Sequence, residues 1–152
     1  MTVNESGRGG TPAAAESVAL TGALERALRE LPAGSAEARL TNYCGRVWDV
    51  LRSAEFVCVY RRSLLPSGVV EESIAEPLVS CLDAIAALVA EGIERGEFEP
   101  VPPRGTARLL VSSLFARAHW CGEGIHPDLS GSCTRAVTET LDIIRPALGF
   151  QE

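Results

Sequence analysis

The residues best suited to bind a metal lie in the last third of the sequence. His119, Cys121, His126 and Cys133 offer nitrogen and sulfur ligands within one short stretch. Their spacing matches no standard zinc motif, and the sequence contains no Cys-x-x-Cys pair. On a helix, positions 119 and 121 point to different sides, so these two side chains would not converge on one ion. We therefore expect neither a metal nor a cofactor.

Catalytic groups are no better placed than metal ligands. Nucleophilic catalysis needs a Cys or Ser beside an oriented base, and nothing in the sequence marks a partner for either histidine. Glu71 and Glu72, like Glu94 and Glu97, fit solvated helix faces. The glycine-containing stretch 122–124 follows a helix and not a strand, unlike a phosphate-binding loop. We therefore expect no enzyme, with a small helical enzyme as the weakest alternative.

The cysteines admit two interpretations. Their number, five, is odd and their spacing irregular, which is typical of thiols in a reducing compartment and not of a disulfide framework. Cys44, Cys58 and Cys81 fall on different predicted helices that a bundle can bring together, so a redox sensor is one alternative. The commoner case, which we expect here, is a buried cysteine that acts as a small apolar side chain.

Composition favours one helical domain. A chain of 152 residues can bury about 68–70% of its unfolded surface, so it needs no disulfide or metal to fold. Hydrophobic residues make up 46% of the sequence and aromatic residues only 5%. The apolar residues are mostly Ala, Leu and Val, in runs with few Gly or Pro, which favours helix over strand.

Charge and hydropathy exclude two classes of partner. The net charge is −6, and all 14 basic residues are arginines. They are scattered along the chain without a basic stripe, so we expect no direct hold on DNA. No apolar run reaches the ~18–20 residues that span a bilayer, and the start of the sequence lacks the apolar core of a signal peptide. We therefore expect a cytoplasmic protein with no membrane partner.

Apolar stripes at helical spacing define the elements. Residues 1–14 are polar and glycine-rich and predict a disordered lead-in, whereas residues 15–150 predict one domain. Ser35 is expected to cap the second helix, and Pro77 to kink the fourth or split off its start. No strand pattern occurs, so the predicted fold class is all-α, a bundle of five to seven helices. The predicted helices cover residues 15–31, 36–52, 54–64, 69–95, 104–121 and 133–148.

The stretch 91–100, Glu-Gly-Ile-Glu-Arg-Gly-Glu-Phe-Glu-Pro, predicts a tight joint between the fourth and fifth helices. Gly96 can adopt the left-handed conformation that closes a helix, and the prolines that follow stop the helix from resuming. This joint resembles the one before the last two helices of the regulatory domain in TetR-type transcriptional repressors. The resemblance covers about residues 18–149, with 19–31 similar to the family's linker helix and 34–53 to the helix after it.

The resemblance implies a domain that binds a small apolar ligand and forms a homodimer. The ligand would lie among the first four helices, and the last two helices would pair with their twofold mates. The alternative for the last two helices is that their apolar stripe packs on the chain's own core. The expected pocket residues are Asn42, Tyr43, Trp48, Phe56, Tyr60, Cys81 and Ile85. The expected interface residues are Leu110, Leu114, Phe115, Ala118, Val137, Leu141 and Ile144.

The resemblance does not extend to DNA-binding residues. The family's helix-turn-helix module precedes the linker helix, and the roughly 17 residues before that helix here are too few for three helices. We therefore expect contact with DNA only through a reader domain that is not in this chain.

Three functions follow in order of preference. The first is the ligand-sensing and homodimerisation domain of a TetR-family transcriptional regulator. The second is a plain helical dimerisation module that forms mixed dimers with intact regulators, and the third is a small helical enzyme. A closed cavity beside Trp48 and Phe56 would favour the first. A filled bundle with an exposed apolar face on the last two helices would favour the second.

Overall fold

A computed structural model describes residues 12–53, 56, 72–123 and 133–145. They contain no strand, so the predicted all-α helical bundle is confirmed. The predicted helix 54–64 lies outside the described residues except for Phe56, and so does the predicted lead-in up to residue 11. The described helices are α1 Pro12–Arg29, α2 Ala36–Leu51, α3 Glu72–Glu94, α4 Pro103–Glu123 and α5 Cys133–Ile144.

The helix starts follow local chemistry. Helix α1 begins at Pro12, earlier than the predicted residue 15. Proline is tolerated at a first helical position because the N–H it lacks has no partner inside the helix. Ser35 caps α2 as predicted, since its hydroxyl accepts a hydrogen bond from the Ala38 N–H at 3.1 Å. One unpaired N–H at the start of the helix is thereby satisfied.

Helix α3 continues through Pro77. Residues 72–76 and the residues after the proline belong to one helix, so the start of the described helix is not split off. Pro77 lies in the second turn and is fully buried. A proline near a helix start removes one hydrogen bond from the second turn and leaves the remaining turns intact.

Helix α2 is the centre of the bundle. It packs against each of the other four described helices, whereas α3 packs on α1, α2 and α4. The predicted stripe of α2 faces the core, because Leu40, Tyr43, Cys44, Val47, Trp48 and Leu51 are all buried. None of the described helices has both the length and the apolar character that crossing a bilayer requires.

The joint between α3 and α4 is closed by backbone hydrogen bonds. Gly96 has a φ of 72°, as predicted for a glycine that ends a helix. Its N–H donates to the Ile93 carbonyl at 3.0 Å, and the Glu97 N–H donates to the Gly92 carbonyl at 2.8 Å. These two bonds are those of a Schellman motif, which satisfies carbonyls left over at the end of a helix.

Side-chain and backbone groups of the same joint hold other helix ends. Arg95 Nη1 donates to the Gly34 carbonyl at 2.8 Å in the loop between α1 and α2. The Glu97 carboxylate accepts a hydrogen bond from the Ala36 N–H at 2.7 Å, at the first residue of α2. The Glu99 N–H donates to the Ile144 carbonyl at 2.8 Å, at the last residue of α5. The joint therefore ties the end of α3 to the start of α2 and the end of α5.

A charged contact also links α2 to the end of α5. The Arg145 guanidinium pairs with the Glu37 carboxylate, and it reaches Asp142 at 2.8 Å. The hydrogen bond from Arg145 lowers the pKa of Glu37 below its ordinary value of 4.5.

Candidate functional site

A groove of about 1000 Å³ lies between α1 and α3. Its size is at the upper end of the range for small-molecule sites, about 300–1,000 Å³. Tyr43 of α2 lies at its floor. The lining residues are Thr21, Leu24, Glu25, Leu28, Tyr43, Ala75, Glu76, Val79, Ser80, Asp83, Ala84 and Ala87.

Each wall of the groove is one face of one helix. On α3 the lining positions are 75, 76, 79, 80, 83, 84 and 87, and on α1 they are 21, 24, 25 and 28. These alternating steps of one and three residues keep the side chains on a single helical face. Small side chains such as Ala75, Ser80 and Ala87 leave the space open between the two helices.

The floor of the groove is uncharged. Tyr43 is completely buried, and its hydroxyl is hydrogen-bonded to the thiol of Cys81. Burial raises the pKa of the Tyr43 phenol well above its ordinary value, and it raises the pKa of the Cys81 thiol to about 12. Both groups are neutral near pH 7, so Cys81 is not an activated nucleophile.

The upper walls of the groove are acidic. Glu25 stands on α1, and Glu76 and Asp83 stand on α3, all three exposed. Asp83 is paired with Arg104 of α4 at 2.7 Å. None of the lining residues that the structure describes is basic. The Thr21 Oγ1 atom is buried at the groove and has no hydrogen-bond partner among the described residues.

The structure separates the residues predicted for the ligand pocket. Tyr43 lines the groove, whereas Cys81 and Ile85 are packed in the core behind it. Asn42 is exposed and lies with Trp48 at a different cleft of about 330 Å³ between α2 and α5.

Two further aromatic residues were predicted for the ligand pocket. Phe56 is buried against Phe115, with ring centroids 6.2 Å apart and planes at 79°. Tyr60 lies outside the described residues. The large groove is therefore not the cavity beside Trp48 and Phe56 that we expected. Its sequence signal is the stripe of small and acidic residues on α3, which differs from the aromatic pattern used for the prediction.

The residues predicted for the dimer interface point inward. Leu110, Leu114, Val137, Leu141 and Ile144 are buried in the core of a single protomer. Phe115 and Ala118 are partly buried against that core. The predicted stripe therefore packs on the protomer's own core, which is the alternative given for the last two helices. The expectation that these side chains lie on a surface open to a partner is corrected accordingly.

Other apolar residues of the same two helices are exposed. Leu109 of α4 is 73% exposed and Ile143 of α5 is 76% exposed. They line an apolar cleft of about 340 Å³ together with Val101, Gly105 and Thr140. An interface formed by α4 and α5 would therefore use this face of the two helices.

The residues considered for metal binding and redox chemistry are only partly visible. His126 and Cys58 lie outside the described residues, as do the side chains of His119, Cys121 and Cys133. Cys44 and Cys81 are both buried. In the described ranges no three His, Cys, Asp or Glu side chains are grouped as metal ligands would be.

Comparison with known proteins gives a likeness of fold. No family model and no curated protein matches the chain. A solved structure of a protein with unknown function from Rhodococcus sp. RHA1 is similar, with a TM-score of 0.61 and 22% sequence identity. The match covers 86% of this chain and 66% of that chain, so this chain spans slightly less than two thirds of its length. At this identity the likeness shows the shared fold alone.

Proposed function

We propose that this bundle is the ligand-sensing and homodimerising domain of a TetR-type transcriptional regulator that works in the cytoplasm. The observation that carries the proposal is that two separate surfaces occur on one helical domain. One is the groove between α1 and α3, and the other is the apolar cleft at Leu109 and Ile143. A sensor of this kind needs a ligand site and a self-association surface that do not overlap.

The groove is suited to a small molecule. Leu24, Leu28, Val79 and Ala84 give apolar contact, and Thr21 gives a hydroxyl at the same site. A pocket with apolar walls and a few polar groups is the usual form of a ligand site. Binding regulates the protein only if the ligand has different affinities for two conformations of the bundle.

The cleft on α4 and α5 is suited to a second copy of the chain. Twofold pairing places the same patch on both partners, so each exposed Leu109 and Ile143 would be covered by the partner's cleft. Glu139, one helical turn before Ile143 on α5, bridges Arg117 at 2.7 Å and Arg135 at 2.9 Å, so charged groups lie one turn from the apolar residue. An apolar centre with a polar edge is the usual composition of an interface. DNA is contacted, in this proposal, by a helix-turn-helix module outside the described bundle.

Light scattering coupled to size exclusion tests the dimer. The full chain is expected to elute as a dimer, and Leu109→Glu or Ile143→Glu is expected to give a monomer, because a buried unpaired carboxylate opposes association. Val18→Glu is the matched control, since Val18 is an exposed apolar residue of α1 at 65% exposure. A wild-type monomer, or a monomer produced by Val18→Glu as well, contradicts the assigned surface.

Thermal unfolding in the presence of small apolar probes of positive, zero and negative charge tests the groove. A probe present at 100 times its Kd stabilises the folded chain by about 2.7 kcal/mol. Ala87→Trp fills the groove from an exposed position and should abolish that stabilisation. If no probe of any charge stabilises the wild-type chain, the groove is not a ligand site.

The exposed cleft also favours a second candidate, the plain dimerisation module that forms mixed dimers. That function uses Leu109 and Ile143 and has no need of the groove. A dimer that depends on Leu109 but is stabilised by no probe would select this second candidate.

A further inference from the structure

The groove between α1 and α3 combines apolar walls with an acidic upper edge. We propose that its ligand is a lipophilic organic cation, a molecule with an apolar body and one delocalised or quaternary positive charge. The inference rests on the proposed function, because it assumes that the groove is a ligand site and specifies what enters it.

The carboxylates of the groove favour a ligand with a positive charge. Glu25 on α1 and Glu76 on α3 face the groove from opposite walls, and no described cation is paired with either. Asp83 is compensated by Arg104 at 2.7 Å, so the two glutamates carry the uncompensated charge. The sequence has no lysine, and none of the described arginines lines the groove. In the described structure an anionic ligand would therefore face two carboxylates that are not paired with an arginine.

The apolar walls of the groove favour a ligand with an apolar body. Leu24 and Ala84 are buried at the base of the groove, whereas Val79 is 47% exposed along its side. A ligand body that covers Val79 gains apolar burial at roughly 25 cal/mol per Å². A small hydrated metal ion gains nothing from these walls, and no metal-ligand group of three carboxylates or similar side chains occurs among the described residues. The body of the ligand is therefore apolar.

The groups at the floor of the groove are neutral and do not repel a cation. Tyr43 presents a neutral phenol that is already hydrogen-bonded to Cys81. The Thr21 Oγ1 atom is buried without a partner in the described structure, and its lone pairs can face a positive charge. Neither group presents a positive charge to a bound cation. Among the described lining residues, the polar side-chain atoms are thus two carboxylates, neutral oxygens and one carboxylate already in an ion pair.

A pair of probes with the same shape and opposite charge tests the inference. Calorimetric titration of the full chain with tetraphenylphosphonium is expected to show binding at least about tenfold tighter than titration with tetraphenylborate. Glu25→Gln and Glu76→Gln should each weaken tetraphenylphosphonium binding about fivefold, the effect of one charge at about 4 Å in water. The affinity for the cation should also fall with added salt, because exposed charges are screened.

Matched controls lie at the ends of the same two helices. Glu30→Gln and Glu94→Gln remove exposed carboxylates near the ends of α1 and α3, away from the groove, and should leave the affinity unchanged within twofold. Circular dichroism confirms that all four variants are folded. Equal binding of both probes, or equal effects of groove and control variants, overturns the inference.

The failures of the two proposals can be distinguished. If tetraphenylborate or a neutral probe binds and Ala87→Trp abolishes that binding, the groove is a ligand site and only the cationic class is wrong. If no probe binds the wild-type chain, the proposed sensing function fails together with the inference.

Discussion

The ring of Phe98 lies against Gly92, in the space that a side chain at position 92 would occupy. A Cβ atom at Gly92 would stand 2.1 Å from Phe98 Cδ2. Phe98 is buried, and its N–H donates to the Gly92 carbonyl at 3.2 Å. Gly92, which lies three residues before the Arg-Gly-Glu-Phe sequence, therefore leaves the space that the ring of Phe98 occupies.

Gly92→Ala should destabilise the protein. Alanine has the better helix propensity by about 1 kcal/mol, but a methyl group in the space of the Phe98 ring overpacks the core at a typical cost of about 1–3 kcal/mol. We expect a net loss measurable by urea unfolding. Gly22→Ala is the matched control in α1, where nothing lies within 4 Å of the added Cβ, and it should stabilise. Equal stability of the two variants would contradict the described packing.

Gly96→Ala should cost about 1–2 kcal/mol because a left-handed backbone brings Cβ close to the following carbonyl oxygen. The φ of 72° at Gly96 places it in that region. Gly34→Ala is the control, since Gly34 has open space around its Cβ position and no positive φ. Denaturant unfolding of both variants measures the difference. A Gly96→Ala protein as stable as Gly34→Ala would mean that the joint closes in another way.

Glu97→Ala should lower stability by about 1 kcal/mol, the usual cost of losing a side-chain acceptor at a helix N-terminus. The affected donor is the Ala36 N–H, 2.7 Å from the carboxylate. Glu97→Gln retains an oxygen acceptor and should lose less. Glu99→Ala, two residues along the chain, removes an exposed side chain and serves as the control in thermal unfolding. A larger effect at Glu99 than at Glu97 would contradict the contact.

The contact between Glu37 and Arg145 should make stability depend on pH in the acid range. The folded pKa of Glu37 is lowered from 4.5, so its contribution is present above that value and is lost as the pH falls through the lower folded pKa. The difference in Tm between the wild type and Glu37→Gln should be positive near pH 7 and should shrink as the pH falls below 4.5. Glu30→Gln provides the control titration. A difference that grows in acid would have the wrong sign for this contact.

Local chemistry in the sequence was sufficient to predict several helix ends. Ser35 has the side chain of an N-cap, and its hydroxyl accepts the Ala38 N–H as expected. Gly96 has the freedom to end α3 and does so with a positive φ. The α2 stripe from Leu40 to Leu51 is buried along its whole length. The cap and the turn depend on neighbours within a few residues, and the periodic spacing of the stripe marks the face of α2 that is covered.

The direction in which α4 presents its apolar residues could not be predicted in the same way. Leu109 and Leu110 are adjacent leucines, but Leu110 is completely buried and Leu109 is mostly exposed. A periodic stripe identifies a face that is covered, and it does not say whether the chain or a partner covers it. The positions of α2, α3 and α5, which all pack against α4, decide that Leu110 faces the core.

The groove was missed for a related reason. Aromatic residues predicted a pocket, whereas Phe56 and Trp48 fill space in the core or beside α5. The open space arises where Ala75, Ser80 and Ala87 of α3 face α1. Small side chains reveal a cavity only after the distance between two helices is known, and that distance depends on contacts far apart in the sequence.

The Glu97 carboxylate and the Glu99 N–H, which follow the last turn of α3, connect the end of this helix to the start of α2 and the end of α5. Glu76 and Val79 of the groove lie near the other end of α3. If α3 tilts, either α2 and α5 move with it or these two hydrogen bonds break. Glu76 and Val79 lie about 20–30 Å from the last residue of α3, so a movement at the groove would act over this length on the joint that holds the end of α5.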